Sequence, residues 1–386
     1  LNILHVCTPT SIHDHKWILF FSNRSDIKQF VIWETIFETP ENQSAKKFFL
    51  ENGITVLPAY SSFSLKNIFS TFNSVKKLNG LIDNHKIDIV HMLFTTPHAL
   101  YAPFLTTPFI LTTRGSDILK VIPGLRTTKG IKGWHNKILF SIFRRAFQKA
   151  AFVTSTSQKQ IDCIADTFHL SRNCRLIRTG VDVETIAQLD ASEYIPQPLA
   201  GVKFIFSPRW MFPQYNLETQ IAAIRLLNKT LLEEYTFVFI HGKDVFMEPD
   251  DYFLKMKDEI ENVAGLKYLI FDRLTPKEVW TCFKKASLTI MVPHTDGTPN
   301  SALEAMSARC KLIMGDADYD SILFDDTCIR INKTDARQLA SAIESALQSY
   351  PDELLERAFS RVNLHGNRAI EMNKLLELYR CILQSN

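Results

Sequence analysis

The sequence predicts an α/β protein made of two Rossmann-like domains, each a doubly wound parallel sheet, facing a cleft. Three observations predict it. The chain has 386 residues, more than one core usually holds. Short β-rich runs recur along it, several of them apolar throughout. Amphipathic stretches of about ten or more residues separate those runs, as helices between parallel strands do.

The first series of runs is Asn2–Cys7, Phe30–Trp33, Ile54–Leu57, Asp88–Leu93, Phe109–Thr113, Phe152–Thr156 and Arg175–Arg178. The second is Lys203–Ser207, Thr236–His241, Leu266–Phe271, Leu288–Pro293, Lys311–Gly315 and Cys328–Ile331. Strand–helix alternation of this kind implies right-handed crossovers. Between the series, Leu189–Gly201 has two prolines, a glycine and little periodicity. Residues 191–201 are therefore expected to link an N-terminal domain, 1–190, to a C-terminal one, 202–350. Residues 351–386 read as a helical tail that packs back toward the N-terminal domain. Ligands are expected outside the carboxyl ends of the strands.

Composition narrows the class. Hydrophobic residues make up 46%, and Phe (28) outnumbers Gly (13), so the chain is globular rather than disordered or low-complexity. A formal charge of +3 and the lack of a groove-reading motif argue against nucleic acid as a partner. The seven cysteines are odd in number, and no pair has C-x-x-C spacing. That argues against a disulfide framework and a structural zinc site, and fits a reducing compartment. No signal peptide and no run of roughly 18 apolar residues is visible. The expected location is the cytoplasm, with the inner face of the cell membrane as the surface such a protein would meet.

The most informative stretch is Met291-Val-Pro-His-Thr-Asp-Gly-Thr-Pro-Asn-Ser-Ala-Leu-Glu-Ala-Met-Ser307. A buried strand ends at Pro293 and a turn follows at Asp296-Gly297. Thr298 suits a helix cap and Pro299 the first helical position. The helix N-terminus then offers free N–H groups and a positive dipole to an anion. Glu304 lies over a turn into a helix suited to burial, where a carboxylate needs hydrogen-bond donors such as a ribose diol. Asp296 would accept bonds from sugar hydroxyls. By spacing alone, a turn Asp and a solvated helical Glu explain the same residues equally well.

The whole stretch Asp-Gly-Thr-Pro-Asn-Ser-x-Leu-Glu-Ala-Met resembles the E-x7-E segment of the retaining, GT-B-fold glycosyltransferases of family 4 (group 1), in an Asp-first form. The resemblance implies that Asp296 holds the donor sugar, that Glu304 holds the nucleotide ribose, and that Gly297, Thr298, Pro299 and Asn300 line the sugar and phosphate. It extends over most of the chain. Phe206-Ser-Pro-Arg-Trp-Met-Phe-Pro-Gln-Tyr-Asn-Leu-Glu218 is similar to the family's loop that carries an Arg and then a Lys for the donor diphosphate. Arg209 fits the first role, where a guanidinium makes bidentate bonds to phosphate and offsets leaving-group charge. Tyr215 stands where the Lys is expected, beside Asn216. Lys243, in His241-Gly242-Lys243-Asp244 after the next strand, is the candidate to restore the charge. Alternatively the donor carries fewer phosphates, as a CMP-linked acidic sugar does. Gly242 and Asn216 complete the implied donor set.

In the first half, Asp88-Ile-Val-His-Met-Leu93 resembles the family's strand leading to the cleft, and Leu111-Thr-Thr-Arg-Gly-Ser-Asp-Ile118 resembles its Thr-x-His-Gly-x-Asp segment. Arg114 takes the usual His position. Arg stays protonated and cannot serve as a base, so it would bind a carboxylate or phosphate, with Asp117 orienting it. An internal Arg–Asp ion pair is the plainer reading. Ile177-Arg-Thr-Gly-Val-Asp182 reads as a structural turn with φ > 0. Arg309, where the family often has Gly, reads as a helix C-cap. The loop Thr8–Trp17 lacks the family's glycines. His13, His15 and Lys16 there are candidates for acceptor recognition, with a plain exposed loop as the alternative; a metal site is not expected. Arg126–Lys149 has seven Lys/Arg and no acid, interleaved with Trp134, Ile138, Phe143 and Phe147. It reads either as a face for an anionic membrane or as a domain helix packed on the sheet.

The resemblance implies transfer of a sugar from a nucleotide-activated donor to an acceptor hydroxyl of a glycan, lipid-linked or protein acceptor. The expected reaction is retaining and metal-independent, with no cofactor, in the synthesis of cell-surface glycans or glycoconjugates. A sugar-nucleotide epimerase and a non-catalytic binding module are the competing readings. A dehydrogenase is disfavoured, because no Gly-x-Gly-x-x-Gly follows a strand.

Overall fold

The computed structural model describes residues 1–39, 42–170, 173–242 and 250–384. The chain forms two compact units, residues 1–179 with 371–386, and residues 180–370. Each is built on one parallel sheet.

The first unit holds strands β1 (Asn2–Val6), β2 (Lys28–Ile32), β3 (Thr55–Val56), β4 (Ile89–Met92), β5 (Phe109–Thr113), β6 (Phe152–Ser155) and β7 (Cys174–Leu176), in the spatial order β3-β2-β1-β4-β5-β6-β7. The second holds β8 (Phe204–Trp210), β9 (Thr236–Ile240), β10 (Lys267–Phe271), β11 (Leu288–Met291), β12 (Leu312–Gly315) and β13 (Ile329–Ile331), in the order β10-β9-β8-β11-β12-β13. Every β-rich run read from the sequence became one of these strands. In both sheets the order reverses about the first strand. The reversal leaves a crevice between the loops that follow β1 and β4, and another between those that follow β8 and β11.

Adjacent residues of each strand go to opposite cores, which is why the runs are apolar without alternation. In β1, Ile3 packs with Val31, Ile89 and Ile110, whereas Leu4 packs with Phe30, Val90 and Leu111. In β8, Phe204 and Phe206 face one core with Leu303 and Met314, and Ile205 faces the other with Phe239 and Ile313.

The change of unit falls at Thr179/Gly180, earlier than the proline-bearing stretch 191–201 expected to be the linker. That stretch belongs to the second unit, where Leu199 is buried and Ile195 packs on the core. Two prolines and weak periodicity mark an irregular segment, and irregularity alone does not distinguish a docked loop from a linker. The expected tail is two helices, Asp352–His365 and Arg368–Gln384. Asp352–His365 packs in the second unit through Ala358 and Val362, while residues 371–386 complete the first. There Met372, Leu375, Leu376, Tyr379 and Ile382 cover one face of the sheet.

Gly180 sits in the turn read from the sequence as needing φ > 0, and its φ is +63°. Val181 accepts from the Arg368 N–H (2.9 Å) and donates to the Gly366 carbonyl (2.8 Å). A Cβ on Gly180 would stand 2.8 Å from the Arg368 backbone. Arg309 also has positive φ (+54°), directly after the helix Asn300–Ser307, and its guanidinium lies 4.0 Å from the Phe359 ring centroid.

His91 in β4 is fully buried; one ring nitrogen meets the Tyr379 hydroxyl (2.5 Å) and the other Thr112 (2.6 Å). His5 in β1 meets Gln29 (3.0 Å). Burial pushes the His91 imidazole well down and His5 from 6.5 to about 4. Both rings are therefore neutral in the fold and protonate more readily once unfolded.

Two outcomes follow from this packing. Gly180→Ala should destabilise by about 2 kcal/mol or more, adding left-handed strain to a backbone clash, and lower the Tm in calorimetry. Depressed histidines contribute stability that is present above pH 6.5 and lost as pH falls toward 4. The Tm should drop across that window, and His5→Gln should flatten the drop.

Candidate active site

The second unit's crevice is built from β8, β11 and the loops that follow them. β8 stops pairing with β11 at Phe206, and its register against β9 shifts between Ser207 and Trp210. Pro208 lies in that interval. It has no N–H for a ladder, so a central strand can hold it only at such an irregularity. The shift delivers the Arg209 side chain to the loop after β11. There Arg209 Nη2 stands 2.9 Å from Asp296 Oδ2, and Nη1 donates to Ser301 Oγ at 2.8 Å. The guanidinium also lies over the Tyr215 ring, 4.1 Å from its centroid. Tyr215 thus buttresses the cation through its ring face, besides occupying the position of the expected Lys.

Asp296 is mostly buried, and burial raises its carboxyl pKa against the opposing Arg209 charge and the Gly297 N–H (2.9 Å). The helix starts at Asn300, with Pro299 as its N-cap. This corrects the expected cap at Thr298: the Pro299 carbonyl takes the Ala302 and Leu303 N–H groups (3.1 and 3.2 Å), so the first turn closes one residue later. Ser301 and Asn300 therefore lie in the first turn beside Arg209 and Asp296. Glu304 is half-buried on the same helix and acts electrostatically on Arg368.

Two expected donor residues do structural work. Asn216 has φ +55° and is buried; its amide donates to the Val292 (3.0 Å) and Lys333 (2.7 Å) carbonyls and accepts from Thr219 (2.8 Å). Both its N–H groups are thereby committed to joining loops. Gly242 has φ +72°, and a Cβ there would fall 2.0 Å from the Trp210 ring. Lys243 lies outside the described residues.

In the first unit Arg114 follows β5. Its guanidinium pairs with Asp14 (2.9 Å), its Nε donates to the Leu93 carbonyl (2.7 Å), and it sits 5.6 Å from the Trp17 ring centroid. Asp14 is the partner that sequence reasoning missed; it also accepts from the Thr8 N–H (2.8 Å) and the Ser11 hydroxyl (3.0 Å). Asp117 does not hold the guanidinium. Its carboxylate takes the backbone N–H groups of Arg114, Gly115 and Ile118 at 3.1, 3.0 and 2.9 Å. It shapes the turn, because the N–H groups one to three residues away from it along the chain are the donors nearest to it. Burial raises Asp117 in spite of these bonds and pushes Arg114 down from its ordinary value. The Arg114 Nη atoms are buried with no hydrogen bond of good geometry, the Asp14 contact being one of charge.

Among the loop histidines, His15 is packed rather than presented. It bonds the Pro9 carbonyl (2.6 Å) and stacks on Phe48 (4.7 Å). His13 is exposed, and Lys16 half-buried. The helix Gly130–Lys149 buries Phe143 and Phe147 in the first unit's core, while Trp134 is 70% exposed. Among the described residues no three His, Cys, Asp or Glu are grouped to hold a metal ion, and no helix is long and apolar enough to cross a membrane.

Removing one partner of a buried ion pair strands the other. Arg114→Ala should cost about 3 kcal/mol. Asp14→Ala added to it should recover part of that loss, as a double-mutant cycle in urea would measure.

Two family models match the chain in succession. Residues 34–185 match the family model Glycosyltransferase Family 4, and residues 195–360 match Glycosyl transferases group 1. Over 174 residues the chain is 29% identical to the poly(glycerol-phosphate) alpha-glucosyltransferase of Bacillus subtilis, covering 42% of this chain and 24% of that protein. Only about a quarter of that relative's length is thus spanned. A glycosyltransferase from Rickettsia africae has a similar structure, with TM-score 0.73 at 15% identity over 100% of this chain and 99% of its own. The HepE protein of Anabaena, solved with UDP, gives TM-score 0.74 at 13% identity over 98% of this chain and 99% of its own. These structures share the fold, two Rossmann-like units of the GT-B type. The two family models are matched in chain order and together cover most of the sequence, and the chain belongs to the family 4, group 1 glycosyltransferases.

Proposed function

We propose that the protein transfers a sugar from a nucleotide-activated donor to an acceptor hydroxyl, with retention of anomeric configuration and without a metal. The observation that carries this is the meeting of Arg209, Asp296 and the N-terminal turn at Asn300–Ser301 in one crevice. A cation and free helix N–H groups suit the phosphates, and a buried carboxylate suits sugar hydroxyls. In the reaction the bond from the anomeric carbon to phosphate oxygen breaks, the bond to the acceptor oxygen forms, and the acceptor proton passes to the leaving phosphate. Arg209 offsets the charge that develops on that phosphate. Asp296 positions the sugar, Glu304 takes the ribose, and Gly297–Asn300 line the donor.

UDP is the favoured nucleotide, because the Anabaena protein of the same fold was solved with UDP and with UDP-glucose. The Bacillus relative's name points to a phosphate-bearing polyol acceptor, and to cell-surface glycan or glycoconjugate synthesis as the setting. Lys16 in the first unit is proposed to meet the anionic part of such an acceptor, with the neutral His13 ring as a hydrogen-bond partner and Arg114 as a fixed charge behind them. The cytoplasmic face of the membrane is the proposed location: Trp134, Leu119 and Val121 are exposed near Lys120, Lys129 and Lys137, a pattern that suits an anionic bilayer.

Thermal-shift titration with UDP, GDP, ADP, TDP and CMP tests the donor class, and stabilisation by one nucleotide is expected. With that donor, Arg209→Ala should lower kcat about 100-fold or more. An Arg209→Ala enzyme with full turnover would remove the residue from the mechanism, and a wild-type protein that none of the nucleotides stabilises would sink the reading.

A further inference from the structure

Tyr319 stands beside Asp296 without belonging to any motif of the sequence. It follows β12, just before the short helix Ser321–Phe324. The Asp320 N–H donates to the Gly297 carbonyl (2.9 Å), which ties residues 319–320 to the 296–297 turn. The Tyr319 ring is fixed by Phe324, at 5.4 Å between centroids, and by the Arg330 guanidinium, 4.7 Å from its centroid. Arg330 is itself held by the Ala317 carbonyl (3.3 Å). This ring is therefore set in place before any ligand arrives.

Its hydroxyl is buried and has no hydrogen-bond partner among the described residues. Asp296 Oδ2 is in the same condition, since its approach to Arg209 is an ion pair without hydrogen-bond geometry. The two groups feel each other: the Asp296 charge adds to burial in raising the phenol's pKa. A buried donor and a buried acceptor, both without a hydrogen bond and carried by two turns that a backbone bond joins, call for a group that satisfies both. A hydroxyl does so, because it accepts with a lone pair and donates its proton. A phosphate oxygen does not, since it can only accept and would be repelled by the carboxylate.

We infer that Tyr319 is a donor-sugar contact: one hydroxyl of the transferred sugar accepts from the Tyr319 phenol and donates to Asp296. The inference rests on the nucleotide-sugar reading above and adds to it a specificity residue. It also gives Asp296 Oδ2 a hydrogen-bond partner besides its ion pair with Arg209. When phosphate draws the guanidinium, the carboxylate keeps a sugar hydroxyl that is itself fixed by the phenol.

Calorimetric titration of the full chain tests this with two pairs of probes, UDP against UDP-glucose and GDP against GDP-mannose. Tyr319→Phe keeps the ring contacts with Phe324 and Arg330, and its Tm is the check on folding. It should bind the nucleoside diphosphate as the wild type does, and the matching sugar nucleotide roughly tenfold more weakly. A donor deoxygenated at the contacted hydroxyl should bind wild type and Tyr319→Phe alike; deoxy donors compared on the wild type alone give the same answer should the variant fold poorly. Equal affinity of wild type and variant for the sugar nucleotide would overturn the inference, leaving water as the occupant. An equal loss for diphosphate and sugar nucleotide would overturn it too, by making the effect structural. Where the thermal-shift titration selects ADP, TDP or CMP, the same comparison is made with that nucleotide and its sugar-linked form; a wild type that binds none of the five fails earlier, at the nucleotide-sugar reading itself.

Discussion

The contact between Arg209 and Asp296 is the interaction on which the second unit's site depends. Neither residue would reach the other in a regular sheet. Pro208 breaks the ladder of β8, the strand shifts register, and the arginine leaves the sheet edge toward the loop after β11. Burial alone would drive Asp296 toward its neutral form, and the guanidinium opposes it. The cation is in turn held by Ser301 and the face of Tyr215. On the proposed reading, a donor phosphate would compete with Asp296 for this guanidinium.

The first unit repeats the chemistry with other residues. Arg114 follows β5 and Asp14 follows β1, and the two meet where the strand order reverses. Here the pair is tighter in its surroundings: Leu93, Trp17 and the Ser11–Thr8 turn all restrain it. An arginine in this place cannot take a proton from an acceptor. Its contribution to the first unit is a fixed positive charge.

Periodicity made the strands legible, because a parallel strand buried on both faces leaves an unmistakable apolar run. The Asp296–Glu304 segment was legible because its chemistry is local, with turn, helix start and carboxylates contiguous. What stayed hidden depends on distance in sequence. Asp14 is a hundred residues from Arg114. Tyr319 reaches the site only because a backbone bond joins Asp320 to Gly297. Asn216 sits beside the expected phosphate loop, yet its amide is consumed by two carbonyls from other strands' ends. The division at Thr179 was hidden for a related reason: a linker is defined by what it does not touch, and composition does not report contacts.

The last helix carries a consequence for how the protein is made. Met372, Leu375, Tyr379 and Ile382 complete the core of a unit that begins at residue 1. During translation the first 179 residues emerge with the core on one face of their sheet only partly covered, and it stays so while the whole second unit is synthesised. Trp17, Phe21 and Ile89 belong to that waiting surface. The second unit can close as soon as its own residues have left the ribosome, so the unit made first is the one finished last.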